Sequence, residues 1–149
     1  MIDIDLFKNH NDIVLDTGIY IKYFEPKENE LKRTLREQFF SEKSDTTLHG
    51  HYLLKSEIYY ILCRKIGIDK AEKILDEIRE FINFINGEFL YQTASKIKCK
   101  FPIALSDCFS ISLSHFKNCP VLFLEEKELN EKIVKKVNEE FNTKIYIVS

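Results

Sequence analysis

Asp12-Ile13-Val14-Leu15-Asp16-Thr17 sets three consecutive aliphatic residues between two acids and leads into a turn at Thr17-Gly18. An unbroken aliphatic run reads as a parallel strand covered on both faces, where a half-exposed strand would alternate. Its closing acid, Asp16, then stands at the carboxyl end of a buried strand, the edge at which open α/β sheets carry their ligand sites.

Working outward, Val121-Leu122-Phe123-Leu124 repeats the pattern and is closed by the pair Glu125-Glu126. Lys144 to Val148 reads as a β-branched strand, and Glu88 to Tyr91 as a short one. Helical spacing predicts helices over Ile19 to Phe24, Glu28 to about Phe40, Tyr52 to Lys65, and Asp69 to Ile82. Further helices are expected over Thr93 to Ile97, about Ser106 to Phe116, and Glu126 to about Phe141, while polar Ser41 to Gly50 reads as a loop. Strands separated by helices predict an α/β fold: a three-layer sandwich whose central, mostly parallel sheet of four to five strands is flanked by helices. At 149 residues this fits one domain over 1–149.

Composition narrows the functional classes. A 44% hydrophobic and 31% charged chain is that of a soluble globular protein, and no apolar run approaches a membrane span. The start, Met1-Ile2-Asp3-Ile4-Asp5, has no basic region ahead of an apolar one, so a cytoplasmic location is expected. A net charge of −2 gives no global basic footprint for nucleic acid. Cys63, Cys99, Cys108 and Cys119 form no C-x-x-C pair, and Cys108, His115 and Cys119 match no usual zinc spacing, so free thiols are expected.

The acids carry the chemistry. Glu57 lies inside an apolar helix, on one face with Leu53 and Ile61, and Asp107 follows Pro102-Ile103-Ala104-Leu105. Singly each has an ordinary explanation: Asp16 as a helix cap, Asp107 and Glu126 as first-turn acids, Glu57 as a border residue. Together with Glu125 they form an ordered series of hard oxygen donors without Cys or His, a set suited to Mg²⁺ or Mn²⁺.

Four segments resemble the PIN domain family, and within it the VapC-like toxin ribonucleases, over about Asp12 to Leu129. They are Val14-Leu15-Asp16-Thr17, the helix Leu54 to Gly67 with its Glu57, Ile103-Ala104-Leu105-Ser106-Asp107-Cys108-Phe109-Ser110-Ile111, and Val121 to Leu129. The resemblance implies that Asp16, Glu57 and Asp107 bind metal, with either Glu125 or Glu126 as fourth acid: registering on the strand picks Glu125, registering on the helix picks Glu126. Gly18 stands where the family usually has Ser. The implied activity is Mg²⁺- or Mn²⁺-dependent endoribonuclease hydrolysis leaving a 5′-phosphate and a 3′-hydroxyl. The implied partners are RNA, a second copy in a homodimer and a small antitoxin, as in a type II toxin–antitoxin pair.

For RNA contacts, Lys96, Lys98 and Lys100 are candidates, with Lys55, Arg64 and Lys65 behind them. Tyr59, Tyr60, Phe39 and Phe40 would stack bases if exposed, although core packing explains them as well. His49-Gly50-His51 reads as a polar loop, the alternative being that it reaches a phosphate or metal ahead of the Glu57 helix. Two alternatives stand beside the toxin: a PIN nuclease of RNA maturation or turnover without an antitoxin, and an inactive PIN-fold binding module.

Overall fold

The computed structural model describes residues 2–149 of the chain. Five parallel strands, β1 (Asp12–Leu15), β2 (Thr47–His51), β3 (Ile82–Ile85), β4 (Val121–Phe123) and β5 (Ile145–Ile147), form one sheet in the order β3-β2-β1-β4-β5. Seven helices among the described residues connect them: α1 (Thr17–Phe24), α2 (Glu30–Gln38), α3 (Tyr52–Ile66), α4 (Ile68–Phe81), α5 (Tyr91–Lys100), α6 (Leu105–Lys117) and α7 (Glu131–Phe141).

The aliphatic run chosen above is the middle of the sheet. Ile13 and Leu15 point into the layer built by α1 to α4, and Val14 into the layer built by α5 to α7. All three are fully buried, as a strand covered on both faces requires. The apolar residues of β4 divide the same way, Leu122 to the first layer and Val121 and Phe123 to the second. The expected three-layer α/β sandwich is therefore the observed architecture, with five strands, all parallel.

Four elements differ from the sequence reading. The predicted loop over Ser41 to Gly50 ends in β2, which pairs with the central strand. The helix predicted to reach Ile82 stops at Phe81, and Ile82–Ile85 becomes β3, because the helical stripe and the strand face share Ile82. Glu88–Leu90 is a 3-10 turn leading into α5 rather than a strand. Finally, α7 begins only at Glu131, where the Asn130 side chain accepts from the Ile133 N–H and caps it. Residues 126–130 are thus left as a loop beside the end of β4.

No helix among the described residues is long and apolar enough to cross a membrane. Cys63, Cys99, Cys108 and Cys119 are free thiols; Cys108 and Cys119 lie in the core.

Candidate metal centre

Asp16 follows β1 directly, and its backbone N–H is tied to the Leu122 carbonyl of β4 at 3.0 Å. This fixes the residue at the carboxyl edge between the two central strands. It is the N-cap of α1: Oδ2 accepts from the Gly18 N–H at 3.4 Å. The cap is an ordinary role, yet it uses one oxygen. Oδ1 is buried and meets no donor of the protein, an expensive arrangement for a carboxylate.

Asp107 reaches the same edge from the first turn of α6 and is buried. Ala104, at the N-cap of that helix, offers no side-chain acceptor. Glu57 comes from the second turn of α3. Its helix buries Leu54, Ile58 and Leu62, while Leu53 is 40% exposed and Ile61 half-buried. The Leu53-Glu57-Ile61 face therefore borders the core instead of facing it, and Glu57 is half-buried.

Of the two candidate fourth acids, the fold turns Glu126 toward the others. A Cβ built on Gly18 would lie 3.9 Å from both Asp16 Oδ2 and Glu126 Oε1, so Gly18 lines the gap between them. Paired backbone bonds between Glu126 and Leu129 curl the loop after β4. Glu125 and Glu126 are both exposed, and it is Glu126 that approaches Asp16 across Gly18.

The electrostatics agree with this convergence. Burial pushes the Asp16 carboxyl well above the usual carboxylate range, and Asp107 and Glu57 push it further, against the Gly18 and Thr17 N–H groups. Burial, then the charge of Glu126, raises Asp107 to about 7; a hydrogen bond to the Asp16 carboxyl opposes this, and Glu57 and Glu128 add to it. Glu126 is raised by burial, by Glu57 and by Glu128. The helix N-termini favour negative charge, but desolvation and mutual repulsion win. Glu128 is a fifth acid that pattern reading passed over, since it sits in an exposed charged stretch.

Three buried hydroxyls around this edge also have no partner: Thr17 Oγ1, Ser106 Oγ and Tyr20 OH. Thr17 and Ser106 are the immediate neighbours of Asp16 and Asp107. Burial and the nearby Asp16 charge hold the Tyr20 phenol protonated. Unpaired acceptors and hydroxyls gathered beside clustered carboxyls are the surroundings of a cation held by oxygen ligands. As they stand, no three His, Cys, Asp or Glu side chains among the described residues are arranged to hold a metal ion. Glu57 is half-buried and Glu126 exposed at the rim of the buried Asp16 and Asp107. The all-oxygen donor set fits Mg²⁺ or Mn²⁺.

The cationic candidates fare unevenly. Lys98 donates to the Ile103 carbonyl at 2.8 Å and Lys100 pairs with Glu140, so both are engaged within the fold. Lys55 lies over the rings of Tyr52 and Phe84, and Arg64 over Tyr60, while Lys65 and Lys96 are exposed. Phe39 is a core residue, Phe40 stacks on Tyr20, and the Tyr59 hydroxyl donates to Glu72. Tyr60, 46% exposed, is left as the open ring of the four.

Comparisons with known proteins agree with the fold. No curated protein matches the chain. Three solved structures share its fold. VapBC2 from Rickettsia felis, bound to a DNA fragment from its promoter, is 11% identical with a TM-score of 0.67, covering 93% of this chain and 99% of that one. A toxin–antitoxin complex from Klebsiella pneumoniae is 13% identical with a TM-score of 0.57, covering 80% and 91%. FitAcB from Neisseria gonorrhoeae is 13% identical with a TM-score of 0.57, covering 90% and 96%. The PIN domain family model matches residues 13–135, a span that runs from the central strand through every acid of the cluster, and the chain belongs to the PIN domain family.

Proposed function

We propose that this protein is a Mg²⁺- or Mn²⁺-dependent endoribonuclease, the toxin of a type II toxin–antitoxin pair acting in the cytoplasm. The observation that carries the proposal is the convergence of Asp16, Glu57, Asp107 and Glu126 on one sheet edge, each of Asp16, Asp107 and Glu126 raised by its neighbours. An acid cluster that destabilises itself is intelligible if a cation relieves it.

Asp16 and Asp107 would hold the ion, Glu57 and Glu126 would complete its shell directly or through water, and Glu125 lies outside. A divalent ion held there supplies Lewis acidity and charge neutralisation for phosphodiester hydrolysis. The chain's own residues do the rest. Thr17 Oγ1 and Ser106 Oγ are free to donate hydrogen bonds into the site, and Tyr20 OH, kept protonated, is a donor behind Asp16. Tyr60, with the Arg64 guanidinium over its ring, offers a planar surface on which a single-stranded base would stack. The antitoxin partner is supported by the fold's likeness to toxin–antitoxin complexes, and a homodimer accompanies the same reading.

The test is cleavage of labelled RNA with Mn²⁺ or Mg²⁺, beside EDTA and Asp16→Asn controls. Cleavage abolished by both is expected. Cleavage that survives either one excludes the acid cluster as its source, and a protein that neither binds Mn²⁺ nor cuts RNA is a binding module.

A further inference from the structure

His51 ends β2 and starts α3, and it is 2% exposed. Its imidazole is used at both nitrogens. Nδ1 accepts from the Leu54 N–H at 3.0 Å and so caps α3, the helix that carries Glu57. That bond fixes the tautomer: the proton resides on Nε2, 2.9 Å from Ser110 Oγ on α6, the helix that carries Asp107. Ser110 is fully buried, and the Phe109 ring lies 5.8 Å from the imidazole.

We infer that His51 is a positioning residue of the acid cluster: one rigid ring joins the start of the Glu57 helix to the Asp107 helix and sets the separation of the two carboxyls. A slide or rotation of α3 against α6 must break the bond to Leu54 or the bond to Ser110. Neither can be replaced by solvent, because both lie in the interior. A carboxylate would cap α3 equally well, and any apolar residue would fill the space, but neither would do both. Burial, opposed by the Ser106 backbone, lowers the His51 pKa to about 4, so the ring stays neutral and keeps both bonds near neutral pH.

This inference deepens the proposed metal site and rests on it for function, though its geometric part does not. The experiment separates the two bonds. His51→Asn keeps an acceptor near the Nδ1 position and loses the reach to Ser110; Ser110→Ala removes the bridge from the other side with the cap intact. His51→Gln places an amide nitrogen near the Nε2 position and sacrifices the cap. Mn²⁺ affinity is read by calorimetry, melting temperature in parallel, and the metal-free Glu57–Asp107 separation by crystallography. His51→Asn and Ser110→Ala should each weaken Mn²⁺ binding about tenfold, the double variant no further, and His51→Gln should recover most of the affinity despite its lower melting temperature. The separation should change by on the order of 1 Å in His51→Asn.

Additive losses in the double variant, losses that simply follow melting temperature, or an unchanged separation in His51→Asn would overturn the inference. If the wild-type protein binds no Mn²⁺, the metal reading falls alone, and the metal-free separation decides whether His51 sets it.

Discussion

The carboxyls of Asp16 and Asp107 stand at the beginnings of two different helices, α1 and α6, near enough that the charge of Asp107 raises Asp16. Each helix start favours an anion by about 0.3–1 kcal/mol. Both groups are nevertheless raised, because burial and neighbouring carboxylates outweigh the two dipoles. The metal-free protein therefore holds Asp107 partly protonated near neutral pH, and a cation must displace that proton to bind.

Asp107→Asn is expected to stabilise the metal-free fold at pH 8, by on the order of 2 kcal/mol. Asp107 titrates near 7 in the fold and near 4 when unfolded, so its contribution is fully present below pH 4 and is lost as pH rises toward 7. The amide has no such loss. The gain of the variant over wild type should shrink to nothing by pH 4, as urea melts across that range would record. Wild-type Mn²⁺ affinity should fall over the same interval, since protons compete for the ligands.

Glu126→Gln should weaken Mn²⁺ binding by roughly tenfold, and Glu125→Gln by less than about twofold. Glu126 is raised by the cluster and approaches Asp16 across Gly18. Calorimetry on the two variants would reverse this assignment if Glu125→Gln proved the more damaging.

Gly50→Ala should cost about 1–3 kcal/mol in a urea melt. A Cβ there would sit 2.8 Å from Leu54 Cδ2, 3.0 Å from Ile82 Cγ2 and 3.2 Å from Phe84 Cε1, all side chains packed between α3 and the sheet. A neutral result would mean that Leu54 and Phe84 repack at little cost.

Gly18→Ala should instead gain about 0.4–1 kcal/mol by restricting the unfolded chain. Its Cβ would make only ordinary contacts, and the position lies inside the first turn of α1. Differential scanning calorimetry of the metal-free variant would check the sign.

How much was legible follows from where each residue finds its partners. β1 and β4 were readable because buried parallel strands are written as unbroken aliphatic runs, and the runs end at Asp16 and near Glu126. β2 was not, because Thr47-Leu48-His49-Gly50-His51 resembles a polar loop until its distant partners are known. His49 accepts from the Asn83 amide and bonds Asp12 at 2.7 Å, His51 bonds Ser110, and Gly50 leaves room for Leu54. Every one of these partners except Leu54 lies more than a strand's length away in sequence. The helical positions of Glu57 and Asp107 followed from periodicity, whereas the choice between Glu125 and Glu126 hung on the late start of α7. Ser106, next to Asp107 in the first turn of α6, was the available signal for a buried hydroxyl beside the cluster.

Because β1 occupies the middle of the sheet and leaves the ribosome before the other four strands, it must wait for β2 on one side and, much later, β4 on the other. Asp16 meanwhile travels without Asp107 or Glu126, as an isolated and fully hydrated carboxylate. Synthesis from the N-terminus thus delivers the acids in an order that keeps them apart until the last is made. Until Glu126 has been made the cluster is incomplete, and whatever chemistry the four acids perform together waits for it.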